Sequence, residues 1–457
     1  LEDLISLIFL KSSALFVIID GRINFKEDTM LDEDIRNLHE DTICVQGGYQ
    51  PESGEPRNAP IIQSTTYKYD SADTVGDLFD LKANGYFYTR LANPTIGYLE
   101  EKIAQMEGGI GALATSSGQA ATLIAILTLA SAGDHVVAMN NLYGGTYTLI
   151  GSTLGKFGIE ASFVPLNDPG ALEEAIQDNT KLVFGETLGN PSVQVLDIEA
   201  IAKVAHYHGL PLVVDNTLAT PVLCRPIDHG ADIVTHSSSK YLDGHGTSVG
   251  GIIVDSGKFD WTNGKHPGMT DEDPNYHGLS YTEAFGPMAY LTKARAVYMR
   301  DLGSQLSPFN AFLTDMGSQT LALRMERHSD NALKIAKFLQ NHDQVEWIHY
   351  PFLETDDSYD LAQKYLKKGS GVIAFGVKGG AEKAKKWIDS LKMVTLVVHV
   401  ADTKSHALHP ASMTHRQLSD EDLAKGGVSP DLVRLSVGIE NADDIIADLA
   451  QAFEALD

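Results

Sequence analysis

The sequence predicts an α/β fold: a mostly parallel sheet sandwiched by helices, followed by a smaller α+β unit. Two observations carry this reading. Between about residue 90 and residue 255, short apolar runs alternate with helical patterns. Buried parallel strands joined by helical crossovers produce that rhythm. After about residue 300 the character changes to long helical stretches with the strand-like runs GVIAFGVKG (371–379) and LVRLSVGIE (432–440) among them.

Taken in order, 111–115 is the first candidate strand of this region, and ATLIAILTLA (121–130) follows a Gly-bearing turn as a buried helix. HVVAM (135–139), ASFVPL (161–166), KLVFGE (181–186), PLVVDN (211–216), DIVTHS (232–237) and GGIIVD (250–255) read as short buried strands. Between them, ALEEAIQ (171–177) and IEAIAKVAHYHG (198–209) read as helices that end near Asn or Gly. Residues 256–285 are rich in Gly, Pro, Asp and His and read as a long irregular insertion. ERHSDNALKIAKFLQN (326–341) is a long helix. ADDIIADLAQAFEAL (442–456) is an amphipathic one, with Ile445, Ile446, Leu449, Phe453 and Leu456 on one side. There is no internal repeat and no low-complexity linker.

Composition bounds the function. With 457 residues, 43% hydrophobic and 21% charged, the chain is a globular protein of about three domain-sized units, not a disordered or collagen-like one. Thirty-five Lys+Arg against 61 Asp+Glu give a net charge of −26. That field repels phosphate backbones and no basic run offsets it, so no nucleic-acid partner is expected. Two cysteines make neither a disulfide framework nor a four-thiolate zinc site, and read as reduced thiols of a cytoplasmic protein. The apolar stretch 4–19 lacks a basic n-region, carries Lys11 and is too short to span a membrane, so no membrane partner is expected. Lys26-Glu27-Asp28-Thr29 before Met30 can be encoded by a purine-rich ribosome-binding string. The expectation is therefore that 1–29 is an upstream-translated leader and Met30 the start.

Ligands of open α/β sheets bind beyond the carboxyl ends of the strands. Polar groups follow five of the strands here. They are Ser116-Ser117-Gly118-Gln119, Asn141-Leu142-Tyr143-Gly144-Gly145-Thr146, Glu186 to Pro191, Asp215-Asn216-Thr217 and Ser237-Ser238-Ser239-Lys240. Each piece has a plain reading: a turn, a packed aromatic, a helix cap, a surface lysine. Together they have a second one. Gly118 before a helix lets N–H groups approach an anion. Asp215, closing a run of valines, suits a protonated ring nitrogen, and Tyr143 suits stacking on a planar ring. Lys240, after a buried strand, suits a Schiff base. Phosphate grip, stacking ring, ring-nitrogen carboxylate and Schiff-base lysine are what pyridoxal 5′-phosphate requires.

The stretches YTRLANPT (88–95), ATSSGQAA (114–121), LYGGTY (142–147), ETLGNP (186–191), VVDNTLATP (213–221), HSSSKYLDGHG (236–246), HPASMTH (409–415) and VRLSVGIE (433–440) resemble one family. It is the Cys/Met-metabolism pyridoxal-phosphate enzymes of the aspartate-aminotransferase fold (type I), and the resemblance runs from about residue 37 to the end. SVGGIIVDSGKFDW (248–261), YHGLSYTEAFG (276–286), SPFNAF (307–312) and an insertion at 256–300 are similar to its O-acetylhomoserine sulfhydrylase branch.

The resemblance implies pyridoxal 5′-phosphate on Lys240, with Asp215 on the pyridine nitrogen, Tyr143 stacked on the ring and Asn190 near its hydroxyl. It implies a phosphate held by the amides of Gly118 and Gln119 and the hydroxyls of Ser237 and Ser239. Tyr88 and Arg90 would reach the phosphate of the neighbouring subunit, Tyr88 also the substrate, and Arg434 would bind the substrate carboxylate. Lys240 and Tyr143 are the implied proton carriers. The implied organisation is an arm at 30–88 that contacts the neighbouring subunit, a cofactor unit at 89–306 and a C-terminal unit at 307–457. That makes a homo-oligomer, at least a dimer and expected to be a tetramer. The implied reaction is γ-replacement of O-acetyl-L-homoserine by sulfide, or a small thiol such as methanethiol, in methionine biosynthesis. A γ-lyase, a cystathionine γ-synthase and a non-catalytic cofactor-binding protein are the alternatives.

The residues support Arg434 independently. In LVRLSVGIE, Val433, Leu435, Val437 and Ile439 share one face, which leaves Arg434 on the other beside Ser436 and Gly438. The sequence departs from the family at His399, where relatives often carry Ser or Asn, and at Gly145, where methionine γ-lyases tend to carry Cys. His406, His409 and His415 come without a carboxylate pattern, so no metal is expected.

Overall fold

The computed structural model describes residues 18–19, 22–23, 35–416, 423 and 427–456. Strands β1 (Ile18–Ile19) and β2 (Arg22–Ile23) pair antiparallel; the rest of the expected leader lies outside the described residues. Helices α1 (Glu40–Gln46), α2 (Ala72–Phe79) and α3 (Pro94–Glu107) come next. Then follow β3 (Gly111–Thr115), α4 (Gly118–Leu127), β4 (His135–Met139), β5 (Glu160–Val164), α5 (Pro169–Ala175) and β6 (Thr180–Glu186). Helix α6 (Ile198–Tyr207), β7 (Leu212–Asp215), β8 (Ile233–His236) and β9 (Gly251–Asp255) complete the large sheet and its crossovers.

The seven strands lie in the order β3-β9-β8-β7-β6-β4-β5. Strands β4 to β8 pair in parallel, and β9 runs antiparallel to both β3 and β8. The apolar runs are near-continuous because both faces are covered. Val137, Val183, Val214 and Val234 pack on the face with α3 and α6. Their neighbours Val136, Leu182, Val213 and Ile233 pack on the face with α4 and residues 289–299. Each fully buried Val or Leu contributes about 1.5–3 kcal/mol, so alternate residues of every central strand pull the sheet into the middle layer.

Helix α7 (Pro308–Ser318) leads into α8 (Leu321–Gln340). The second sheet is built from β10 (Val345–His349), β11 (Val372–Val377), β12 (Thr395–Leu396), β13 (His406–Leu408) and β14 (Leu432–Ser436). Helix α9 (Gly380–Asp389) follows β11, and α10 (Ala442–Glu454) closes the described chain. The order is β10-β11-β14-β13-β12. Val433, Leu435 and Val437 enter a core with Ile445, Leu449, Phe453 and Leu456 of the terminal segment. Arg434 therefore faces away from that core, as the alternation predicts.

Differences from the expected elements are small and have causes. Helix α4 starts three residues earlier than its apolar run, because Ser117 caps it by accepting from Ala120 N at 3.1 Å. The stretch 256–285 is not wholly irregular. It contains helical turns at Pro267–Thr270 and Tyr281–Phe285. Trp261 stacks on Tyr290 with ring centroids 5.4 Å apart, and His266 Nε2 lies 2.8 Å from Lys181 O. Among the described residues, no helix is long and apolar enough to cross a membrane.

Because β9 runs backwards, its first residue pairs with the last of β3, Thr115 with Gly251. A side chain at Gly251 would place its Cβ 2.2 Å from Ser117 O and 2.8 Å from Gly118 N. Both are backbone atoms that cannot swing aside. Gly251→Ala is expected to cost about 1–3 kcal/mol of stability, measured as a lower urea midpoint at unchanged slope.

Candidate active site

At the carboxyl ends of the strands the sequence-marked groups converge. Strand β7 delivers Asp215, whose Oδ1 accepts from Thr217 N at 2.9 Å and whose Oδ2 accepts from Thr235 Oγ1 at 3.4 Å. Burial pushes its carboxyl above the ordinary range, opposed by those hydrogen bonds and by His236. Thr217 also accepts from Ser237 N at 2.8 Å, which ties the ends of β7 and β8 together. Ser237 lies against the start of α4, for a Cβ on Gly118 would fall 2.6 Å from Ser237 Cβ. Ser239 Oγ accepts from Gly250 N at 3.0 Å. Gln119 Nε2 donates to Gly145 O at 2.9 Å, which ties the same helix start to the Tyr143 loop.

Lys240 follows β8. Burial, then the nearby Arg434, lower its pKa to about 8. Its Nζ lies 3.1 Å from His399 Nδ1. Arg434 reaches in from β14, donating from Nη1 to Asn190 Oδ1 at 3.0 Å and from Nη2 to His399 O at 2.5 Å. It is 4% exposed, and its Nε has no hydrogen-bond partner. Burial lowers its pKa to about 10. Both polar atoms of the buried Asn141 side chain are also unpartnered. Tyr143 leaves 42% of its surface exposed.

Tyr88 and Arg90 stand apart from this cluster. Both are exposed, and the Arg90 guanidinium sits 5.3 Å over the Tyr88 ring. A β-bridge to Thr66 fixes the Tyr88 backbone. Of the three histidines, His409 is held by Ser412 Oγ and Pro430 O, His415 by Thr414 Oγ1 and His406 by Lys404 O.

Two features were not assigned from the sequence. Glu186, at the end of β6, accepts from Tyr143 N at 2.8 Å. Burial and then the facing Asp215 push its carboxyl well above the usual range. Behind Asp215, Glu107 accepts from Asn216 Nδ2 at 2.8 Å and lies 2.7 Å from His236 Nε2, all three residues fully buried. The Glu186 position was visible as a polar strand end; nothing local marks the second pair.

The arrangement fits a phosphorylated pyridine aldehyde. It offers a lysine of lowered pKa, a buried carboxylate, and a glycine-opened helix start against Ser237. Comparison with known proteins agrees. Residues 41–454 match the model of the Cys/Met metabolism PLP-dependent enzyme family.

The chain belongs to that family.

As a member it is an enzyme with the type I fold, and pyridoxal phosphate is its cofactor. It is 48% identical to an O-acetyl-L-homoserine sulfhydrylase of Leptospira meyeri, covering 92% of this chain and 97% of that one. It is 47% identical to a homocysteine synthase of Schizosaccharomyces pombe, covering 92% and 99%. Among solved structures, an O-acetylhomoserine (thiol)-lyase from Campylobacter jejuni carrying N′-pyridoxyl-lysine-5′-monophosphate superposes with a TM-score of 0.89. It has 39% identity and covers 91% of this chain and all of that one.

The Glu186 carboxyl gives a test. The folded state keeps a proton that the unfolded chain loses above a pH of about 4.3. Its contribution to stability therefore falls as pH rises from there toward the raised folded value. Glu186→Gln keeps a neutral acceptor and lacks that pH-dependent loss, so its stability relative to the wild type is expected to rise between pH 5 and pH 8. Glu186→Ala strands the Tyr143 N–H and is expected to cost about 1–3 kcal/mol relative to Glu186→Gln at every pH. Urea denaturation between pH 5 and 8 reads both.

Proposed function

We propose that the enzyme catalyses γ-replacement: O-acetyl-L-homoserine and sulfide, or a small thiol such as methanethiol, give L-homocysteine, or methionine, and acetate. The relatives that match almost end to end at 47–48% identity support this over a γ-lyase or a cystathionine γ-synthase. The observation that carries the reading at the site is the run Lys240–His399–Arg434–Asn190, a lowered amine beside a buried guanidinium with a spare N–H.

In this reading the amides of Gly118 and Gln119 and the hydroxyls of Ser237 and Ser239 hold the cofactor phosphate at the dipole-positive end of α4. Asp215 would hold the ring nitrogen, whose positive charge would offset the cost of ionising a buried carboxyl. Tyr143 and Asn190 would hold the ring, and Lys240 would bind its aldehyde. Bound there, pyridoxal phosphate supplies an electron sink for charge developing on the substrate carbons. Arg434 pairs with the substrate carboxylate through its free edge and fixes which Cα bond faces Lys240. Lys240 Nζ takes and returns the proton at Cα, which a pKa near 8 suits. The Tyr143 hydroxyl is the second proton carrier. Overall the Cγ–O bond breaks, acetate leaves with the electron pair, and a Cγ–S bond forms.

We further infer a homo-oligomer, with the dimer as the smallest unit that completes a site and a tetramer as the expected form. Tyr88 and Arg90 are exposed, and among the described residues no hydrogen bond or ion pair ties either side chain to the Lys240 cluster, which supports their serving a neighbouring one. Two buried free thiols, Cys44 and Cys224, support a reducing, cytoplasmic setting.

Product analysis decides the reaction. O-acetylhomoserine, O-succinylhomoserine and O-acetylserine, each with sulfide and with methanethiol, are expected to yield homocysteine most rapidly from the first pair; its absence overturns the assignment. Lys240→Ala is expected to lose the visible cofactor band and turnover by on the order of 10²- to 10⁴-fold. Arg90→Ala is expected to be impaired alone. When co-assembled with Lys240→Ala it should regain activity, because one hybrid site then carries both native residues. Lack of such rescue argues that each site is built from one chain.

A further inference from the structure

We propose that Glu186 is the positioning residue for the two groups that hold the ring, Tyr143 and Asn190: its carboxyl accepts from the backbone N–H of the first and faces that of the second, so one side chain sets both loops against Asp215. The inference rests on the reading of Tyr143 and Asn190 as ring-holding residues.

Strands β6 and β7 run side by side, with Glu186 paired to Asp215. Paired residues of neighbouring strands point to one face of the sheet, so the two carboxyls leave it together. Glu186 is buried, and the groups that act on it are Asp215 and the main-chain amides of Tyr143 and Asn190, with no cation among them. Burying one carboxyl against another is costly, and the amides it satisfies offset that cost. Tyr143 is gripped at three points. Its N–H donates to Glu186 Oε1 at 2.8 Å, and its carbonyl accepts from Tyr147 N at 2.9 Å. The edge of its ring lies against the bare α-carbon of Gly145, where a Cβ would fall 2.5 Å from Cε1. Of the three, only the bond to Glu186 reaches outside residues 143–147. The segment that carries Asn190 is folded back on itself, with Gly189 N donating to Gln194 O at 3.0 Å and Val193 N to Gly189 O at 2.8 Å. Arg434 engages the Asn190 side chain, which leaves the main-chain N–H to Glu186. The two loops follow different strands, β4 and β6, and the Glu186 carboxyl is the group they share. Without it each loop keeps its own shape but the spacing between Tyr143 and Asn190 is no longer fixed, and a site of this kind needs its groups held to within about 0.5 Å.

The test uses the cofactor-free full-length chain with Glu186→Ala, Glu186→Gln and a control, Leu449→Ala, which opens the core of the second sheet and destabilises without touching either loop. Amide hydrogen exchange is followed across 141–147. In Glu186→Ala the Tyr143 amide is expected to exchange about tenfold faster, the worth of its lost acceptor, and in the control to stay within about threefold of wild type. Pyridoxal phosphate is then titrated into each chain and the visible absorbance read. Its apparent affinity is expected to fall about tenfold in Glu186→Ala and to hold in the control. In steady state kcat should fall by about tenfold with KM for the amino-acid substrate changed less than about threefold, the pattern of lost positioning. Glu186→Gln, which keeps an acceptor oxygen, should return exchange and affinity toward the wild-type values. An alanine variant whose Tyr143 exchange and cofactor affinity match wild type or match the control overturns the proposal. If the alanine variant does not fold, Glu186→Asp replaces it: its carboxyl ends one methylene short of Tyr143 N, and wild-type exchange and affinity then overturn the proposal. If Tyr143→Ala and Asn190→Ala bind the cofactor as tightly as wild type, the underlying reading falls and takes this one with it. If they bind it weakly while Glu186→Ala does not, this inference alone falls.

Discussion

The site is organised by a buried cation that has no carboxylate partner among the described residues. Arg434 is held by a side-chain amide and a backbone carbonyl, both neutral. Taking a guanidinium out of water without an anion is costly, and such a charge persists only where dipoles and later a ligand compensate it. Its field is felt around the pocket. It contributes to the lowered pKa values of Lys240, His399, His406 and His415. The fold spends its two sheets on holding this one group: β14 supplies it, the Asn190 loop of the large sheet caps one nitrogen, and the loop before β13 caps another.

That arrangement makes the two sheets interdependent. The amine that follows β8 and the guanidinium of β14 meet through a single histidine, so neither sheet positions its reactive group alone. On the far side of the pocket the Glu186 carboxyl holds the Tyr143 backbone, and Glu107 with His236 braces the layer under Asp215. The polar groups that face the ligand are thus few, and the residues that brace them, Glu186, Glu107 and His236, are buried.

Much of this was legible in the sequence. The apolar runs located all the central strands within a residue or two, because burial on both faces leaves little room for other residue types. Asp215 and Lys240 could be singled out because each ends or follows such a run. Arg434 could be placed by alternation alone. The rest was not legible for physical reasons. Glu107 meets His236 across 129 residues and Arg434 meets Asn190 across 244, and neither contact leaves a local pattern. The start of α4 is set by a polar cap and not by the periodicity that reveals its body. The order within 256–285 comes from ring stacking, which has no period to read. Tyr88 and Arg90 entered only through a family resemblance, and the single chain leaves them on its surface.

The reversed strand β9 has one more consequence. Its first residue touches the cofactor end of the sheet, so its last, Asp255, emerges at the opposite end. The long segment that follows is therefore attached where no chemistry occurs, and Trp261, His266 and Tyr290 anchor it to that remote face. Such a placement separates two kinds of change: the loop from Lys240 to Gly251 lies at the reacting end of the sheet, whereas the chain beyond Asp255 can lengthen, shorten or acquire new contacts while the reacting groups stay where they are.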